Sequence, residues 1–156
     1  MVDRESEPIG IVPELDVSDL DESLAFYVGL LGFLVVFERP AERFAYLDLD
    51  GSNLMLQEAA GPGRRFRTAP LQFPFGRGVN FQIPVADAGV LCDRLTAAGS
   101  VPIIPLEDRW YRVDVLVNSG RWSTQGPMSA GNRQFVVADP DGYLLRCFTS
   151  LGTRPG

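Results

Sequence analysis

Histidine and lysine are both missing from the 156 residues, so all 14 basic side chains are arginine. Without histidine the chain lacks the usual general base near neutral pH and the commonest transition-metal ligand. Without lysine it is closed to Schiff-base chemistry. Cysteine is scarce. Cys92 and Cys147 lie in separate apolar runs with no CxxC spacing, and read as reduced, buried and inert. No apolar run approaches the ~18 residues of a membrane span. The opening "MVDRESEPIG" is acidic and polar, unlike a secretory signal. A cytoplasmic protein without membrane partners is the expectation. Positive charge is outnumbered: the net charge is −6 and the pI about 4.6. That excludes the basic face of a nucleic-acid binder and suits a cationic or neutral partner through long-range attraction.

What is present repeats. "ELDVSDLDESLAFYVGLLGF" (14–33) and "QIPVADAGVLCDRLTAAGSV" (82–101) each open as an alternating strand, reach an aspartate, become helical and stop near a glycine. In the first, Leu20, Leu24, Tyr27 and Leu31 share one helical face, with Asp19 or Ser18 as the N-cap and Gly32 at the end. In the second the stripe is Ala88, Leu91, Leu95 and Ala98, ended by Gly99. Three strand-like runs follow each helix: "LVVFER", "RFAYLDL" and "SNLMLQE", then "VPIIPLE", "RQFVVA" and "YLLRCF". Asp50-Gly51 and the "DPDG" of 139–142 are hairpin turns.

The chain is therefore βαβββ twice, an α+β fold. It reads as one domain of 156 residues: module 1 at about 9–60, a Gly/Pro/Arg-rich linker at 61–78, and module 2 at about 79–150. The expected architecture is a curved mixed sheet with helices on the convex side and an open cleft. A long insertion, "DVLVNSGRWSTQGPMSAG" (114–131), interrupts module 2 and has the length of a lid or binding loop.

Strand alternation separates a helix-packed face from an open one. Leu15, Val17, Leu54, Leu56, Phe81, Ile83, Val85, Leu145 and Cys147 go to the helices. The open face then gathers Glu14, Gln57, Asn80, Gln82 and Arg146 with the aromatics Phe44, Tyr46 and Phe148. Apolar walls with a few polar anchors are the usual make-up of a small-molecule site. Phe37, Trp110 and the insertion's Trp122 are further candidate walls.

The doubled pattern, "VSDLDESLAFYVGLLGF" and "DPDGYLLRCF" resemble the vicinal oxygen chelate superfamily, which includes glyoxalases, extradiol dioxygenases and bleomycin resistance proteins. In its metal-dependent members the resemblance places ligands at four strand positions. Here these are Val12, Met55 or Gln57, Asn80 and Arg146. Valine has no donor atom, and a guanidinium at ~4 Å repels a cation. Glu14 and Glu58 are too few to make a cage without histidine. No metal site and no cofactor are expected.

The resemblance is nearest to the bleomycin resistance branch. It implies a homodimer that sequesters a cationic aromatic antibiotic, bleomycin or a similar compound, in a cleft at the dimer interface and without catalysis. The candidate ligand-binding set is Glu14, Phe37, Phe44, Tyr46, Gln57, Asn80, Gln82, Trp110, Trp122, Arg146 and Phe148, with no catalytic residue. The alternative is a metal-free lyase- or isomerase-like enzyme, with Glu14 or Glu58 as base and Arg146 stabilising an oxyanion.

Overall fold

The computed structural model describes residues 10–113 and 127–156, with the backbone of two short strands at 117–118 and 121–122. In it, both repeat aspartates cap helices. The Asp19 carboxylate accepts from the Asp21 and Glu22 amides at 2.9 and 3.1 Å, and that of Asp87 from the Val90 amide at 3.0 Å. Each satisfies amides that a helix start leaves without an intrahelical partner.

The first helix, α1, is α-helical only over Leu20–Leu24 and continues as wider π-helical turns over Ala25–Leu31. The wider turn rotates the buried face away from that of a regular helix. Ser23, Phe26 and Tyr27 are buried, whereas Leu24, expected on the apolar stripe, is only half-buried. Gly32, at φ 91°, ends the helix, and the Phe33 amide reaches back to the Tyr27 carbonyl. Phe26, Tyr27 and Phe33 then meet edge to face, at 5.3 and 5.8 Å between ring centroids. The second helix, α2 (Ala88–Ala97), is regular and buries Ala88, Leu91, Cys92 and Leu95.

The chain divides into two compact units, Met1–Phe75 and Gly76–Gly156. Each holds a four-stranded mixed sheet of the same topology. In the first unit β1 (Glu14–Val17), β2 (Leu34–Arg39), β3 (Phe44–Leu49) and β4 (Ser52–Glu58) lie in the order β1-β4-β3-β2. In the second, β5 (Asn80–Pro84), β6 (Ile104–Val113), β9 (Met128–Ala138) and β10 (Leu144–Pro155) lie in the order β5-β10-β9-β6. The ribbon of β7 (Val117–Asn118) and β8 (Arg121–Trp122) falls between β6 and β9. The pairs β1–β4 and β5–β10 are parallel, and the rest of both sheets is antiparallel. The α+β fold of two βαβββ modules is thus present.

Asp50 and Gly51 both have positive φ, 49° and 91°, as the tight hairpin expected at that dipeptide requires. In the second hairpin the Asp139 carboxylate accepts from the Asp141 and Tyr143 amides.

Two boundaries differ from the expectation. Residues 61–75 fall with the first unit instead of standing apart as a linker. Arg65 donates to the carbonyls of Glu58 and Glu42, and Arg67 to Asp16 and the Ala59 carbonyl. The insertion is also shorter than 114–131, because Met128–Gly131 continue the β6–β9 ladder opposite Val113–Trp110.

Candidate functional site

In both sheets the face away from the helix is crossed by matching rows of side chains. In the first unit Glu14 pairs with Met55, Met55 with Tyr46, and Tyr46 with Phe37. In the second Gln82 pairs with Arg146, Arg146 with Val136, and Val136 with Ile104. Glu14 and Gln82 each stand five residues before the aspartate that caps the following helix. The register therefore makes Met55, not Gln57, the counterpart of Arg146.

Gln57 belongs to the next row and is only 5% exposed. Its amide donates to Asp16 at 3.1 Å, and Asp16 also holds Arg67 at 2.9 Å. The side chain expected to greet a ligand is therefore built into the sheet. Phe44, in the same row, is 3% exposed, with the Arg39 guanidinium 4.1 Å above its ring and Phe37 at 5.9 Å. What the first unit offers at its surface is Phe37, 49% exposed and stacked on Tyr46 at 5.1 Å and 16°. Glu14 is exposed on the outer strand β1.

Glu58 is committed elsewhere. It accepts from the Leu20 amide at the start of α1 and from Arg43 at 2.7 and 3.0 Å, while Arg43 also grips Asp21. Arg43, followed by the helix-start amide, holds the Glu58 carboxyl below its usual range. A carboxylate so stabilised is a poor proton acceptor, which removes Glu58 as the general base of the enzymatic alternative.

In the second unit Asn80 and Gln82 are exposed on the outer strand β5, and Phe148 is half-buried beside Pro84 and Gln134. Arg146 points to the open face. It donates to the side-chain amide oxygen of Gln82 at 2.6 Å and, more weakly, to the Tyr111 hydroxyl at 3.5 Å. Tyr111 in turn meets the Gln134 amide at 2.8 Å, and Gln134 reaches Glu107 at 3.3 Å.

Trp110 does not join this group. It pairs with Gly131 one residue out of phase with Tyr111, so its ring lies on the other face, under Arg154 at 3.9 Å. The side chain of Trp122 lies outside the described residues.

Tyr111, Gln134 and Glu107 were missed from sequence. Alternation around Phe135 and Val137 already put Gln134 on the open face. Tyr111 was hidden by the irregularity between Ile104 and Glu107, which resets the alternation of β6.

Of the positions where the resemblance expects metal ligands, Met55 in the first unit offers a thioether, and Asn80 and Arg146 in the second an amide and a fixed cation, while Val12 precedes β1 and has no donor. Among the described residues no group of three or more acidic or cysteine side chains is arranged to hold a metal ion. No helix among the described residues is long and apolar enough to cross a membrane.

The model of the Glyoxalase/Bleomycin resistance protein/Dioxygenase superfamily matches residues 13–147. A superfamily member from Vibrio splendidus 12B01 is 37% identical, over 90% of this chain and 97% of that one, with a TM-score of 0.37. TioX from Micromonospora sp. ML1 is 24% identical over 91% of this chain and 99% of its own, with a TM-score of 0.60. A protein of unknown function from Agrobacterium tumefaciens str. C58 is 22% identical over 94% and 97%, with a TM-score of 0.61. No curated protein matches the chain.

Proposed function

The chain belongs to the glyoxalase/bleomycin resistance protein/dioxygenase superfamily, and from that premise we propose that it is a metal-independent small-molecule binder of bleomycin-resistance type. It captures a cationic aromatic antibiotic and leaves it chemically unchanged. The observation that carries this reading is the chemistry of the two open faces, each taken by itself: histidine is absent, the row of the first sheet holds a thioether at Met55, and that of the second holds a guanidinium at Arg146, neither a ligand for a hard divalent ion. What remains for recognition is stacking and charge. The exposed Phe37, braced flat against Tyr46, is a preformed surface for a planar ring. The net charge of −6 draws cations toward the protein.

A homodimer belongs to the same reading. Leu34, Val35 and Val36 are exposed along β2, the outer strand of its sheet, and such an apolar edge invites a partner chain.

Titration calorimetry with metal-free bleomycin tests the reading. Protection by capture needs a Kd of about 1 μM or tighter, roughly −8 kcal/mol. Phe37→Ala is expected to weaken that binding about tenfold, the loss of one stacking contact worth ~1 kcal/mol or slightly more. Absence of both heat and thermal shift at millimolar bleomycin overturns this ligand. Light scattering is expected to give twice the 17.1 kDa chain mass, and a monomer at micromolar concentration overturns the dimer.

A further inference from the structure

Arg146 stands in an acid-rich chain, yet among the described residues no carboxylate pairs with it. Its two hydrogen-bond partners, Gln82 and Tyr111, are neutral. Its Nε is buried without a partner. The nearest acid of the network, Glu107, is reached only through Gln134. A guanidinium has five N–H donors in a planar fork, and among the described residues Nη1 and Nη2 each make one bond, leaving each a second N–H.

The other well-placed arginines are matched. Arg43 has Asp21 and Glu58, Arg67 has Asp16, and Arg133 grips Asp108 through two nitrogens. Among the described residues Arg146 is held in place by neutral partners and has no carboxylate against it. A cation arranged this way on the open face, with the Phe148 ring two residues along the same strand face, suits a planar oxyanion attached to an aromatic ring.

We infer that Arg146 is the anchor for a carboxylate on the captured ligand. The inference rests on the capture reading and narrows it. Since the chain as a whole repels anions, the ligand carries both a cationic group and a carboxylate. Gln82 is a positioning residue, because its side-chain amide oxygen fixes the guanidinium.

Three probes with the same ring, benzoate, benzamide and benzylammonium, separate the two ideas. Binding is followed by chemical shifts of the Tyr111 and Phe148 rings. Benzoate is expected to bind about tenfold more tightly than benzamide, a difference of ~1.4 kcal/mol. The advantage is expected to vanish in Arg146→Gln and to weaken as salt screens the charge. Arg146→Lys, which keeps the charge but loses the fork, is expected to fall between the two, and serves if the glutamine variant folds poorly. If benzoate and benzamide bind equally, or if benzoate binds both arginine variants as well as the parent, the carboxylate anchor is overturned while ring capture stands. If none of the three binds at millimolar concentration, the carboxylate anchor is overturned, while capture is decided separately by the bleomycin titration.

Discussion

Gly131 illustrates how a single missing side chain shapes the second unit. A Cβ built there would meet the Trp110 ring at 2.7–2.8 Å, inside van der Waals contact. The indole lies in the space that glycine leaves and is covered by Arg154, an arrangement by which an aromatic neighbour shields a strand glycine. Gly131→Ala is expected to cost about 1–3 kcal/mol through overpacking, read as a lower urea midpoint with an altered tryptophan emission. Ser23 makes the opposite case. Its hydroxyl is fully buried and has no hydrogen-bond partner among the described residues. Ser23→Ala removes an unsatisfied polar group and is expected to raise stability by up to ~1 kcal/mol in the same assay. Burial pushes the Cys147 thiol, 1% exposed, up to about 12. Its alkylation by iodoacetamide at pH 8 is expected only after urea unfolding, with mass spectrometry as the readout.

At the scale of elements, the first helix is tied to its sheet at one point. Glu58, at the end of β4, receives the Leu20 amide and Arg43, and Arg43 passes the tie on to Asp21. Arg43 holds a positive φ of 54°, a conformation uncommon for a residue with a side chain, and these bonds help to keep it there. The folded state lowers the Glu58 pKa from its usual 4.5. The unfolded chain therefore binds the proton more readily, so the stabilisation is complete above pH 4.5 and lost as pH falls through the lowered folded value. The melting temperature is expected to drop across that acid range. In Glu58→Gln it is expected to start lower at neutral pH and to show a shallower drop. An equally steep acid limb in the variant would assign the loss to other carboxylates, with Asp108, lowered by Arg133, the next to test.

For the whole molecule, the repeated topology puts Met55 and Arg146 at corresponding places in their own sheets, and among the described residues no group of acids or cysteines is arranged to hold a metal ion. Elemental analysis of protein purified without chelator is expected to show no stoichiometric zinc, manganese or iron. One equivalent per chain would overturn the donor-set argument. Arg146→Glu introduces a carboxylate beside Gln82 and Tyr111 but is expected to give no metal affinity measurable by calorimetry with zinc or manganese, because both neighbours are neutral, weak ligands.

The amino-acid order by itself determined the two βαβββ modules, the tight turns and the facing of β1, β4, β5 and β10, and it narrowed the first helix cap to Asp19 or Ser18. These follow from local rules: alternation of two, capping by a short acidic side chain, and glycine or aspartate where φ must be positive. The absence of histidine and lysine was equally legible, and with it the poverty of metal donors. Tertiary structure alone decided the rest. It chose Met55 over Gln57 as the counterpart of Arg146, because register is a relation between strands. It buried Gln57 and Phe44 and tied up the half-buried Glu58, because their partners, Asp16, Arg39 and Arg43, are distant in sequence or placed by the sheet. It turned Trp110 away and brought Tyr111 to Arg146, because an irregularity in β6 resets alternation beyond it. Local periodicity does not carry across such a break.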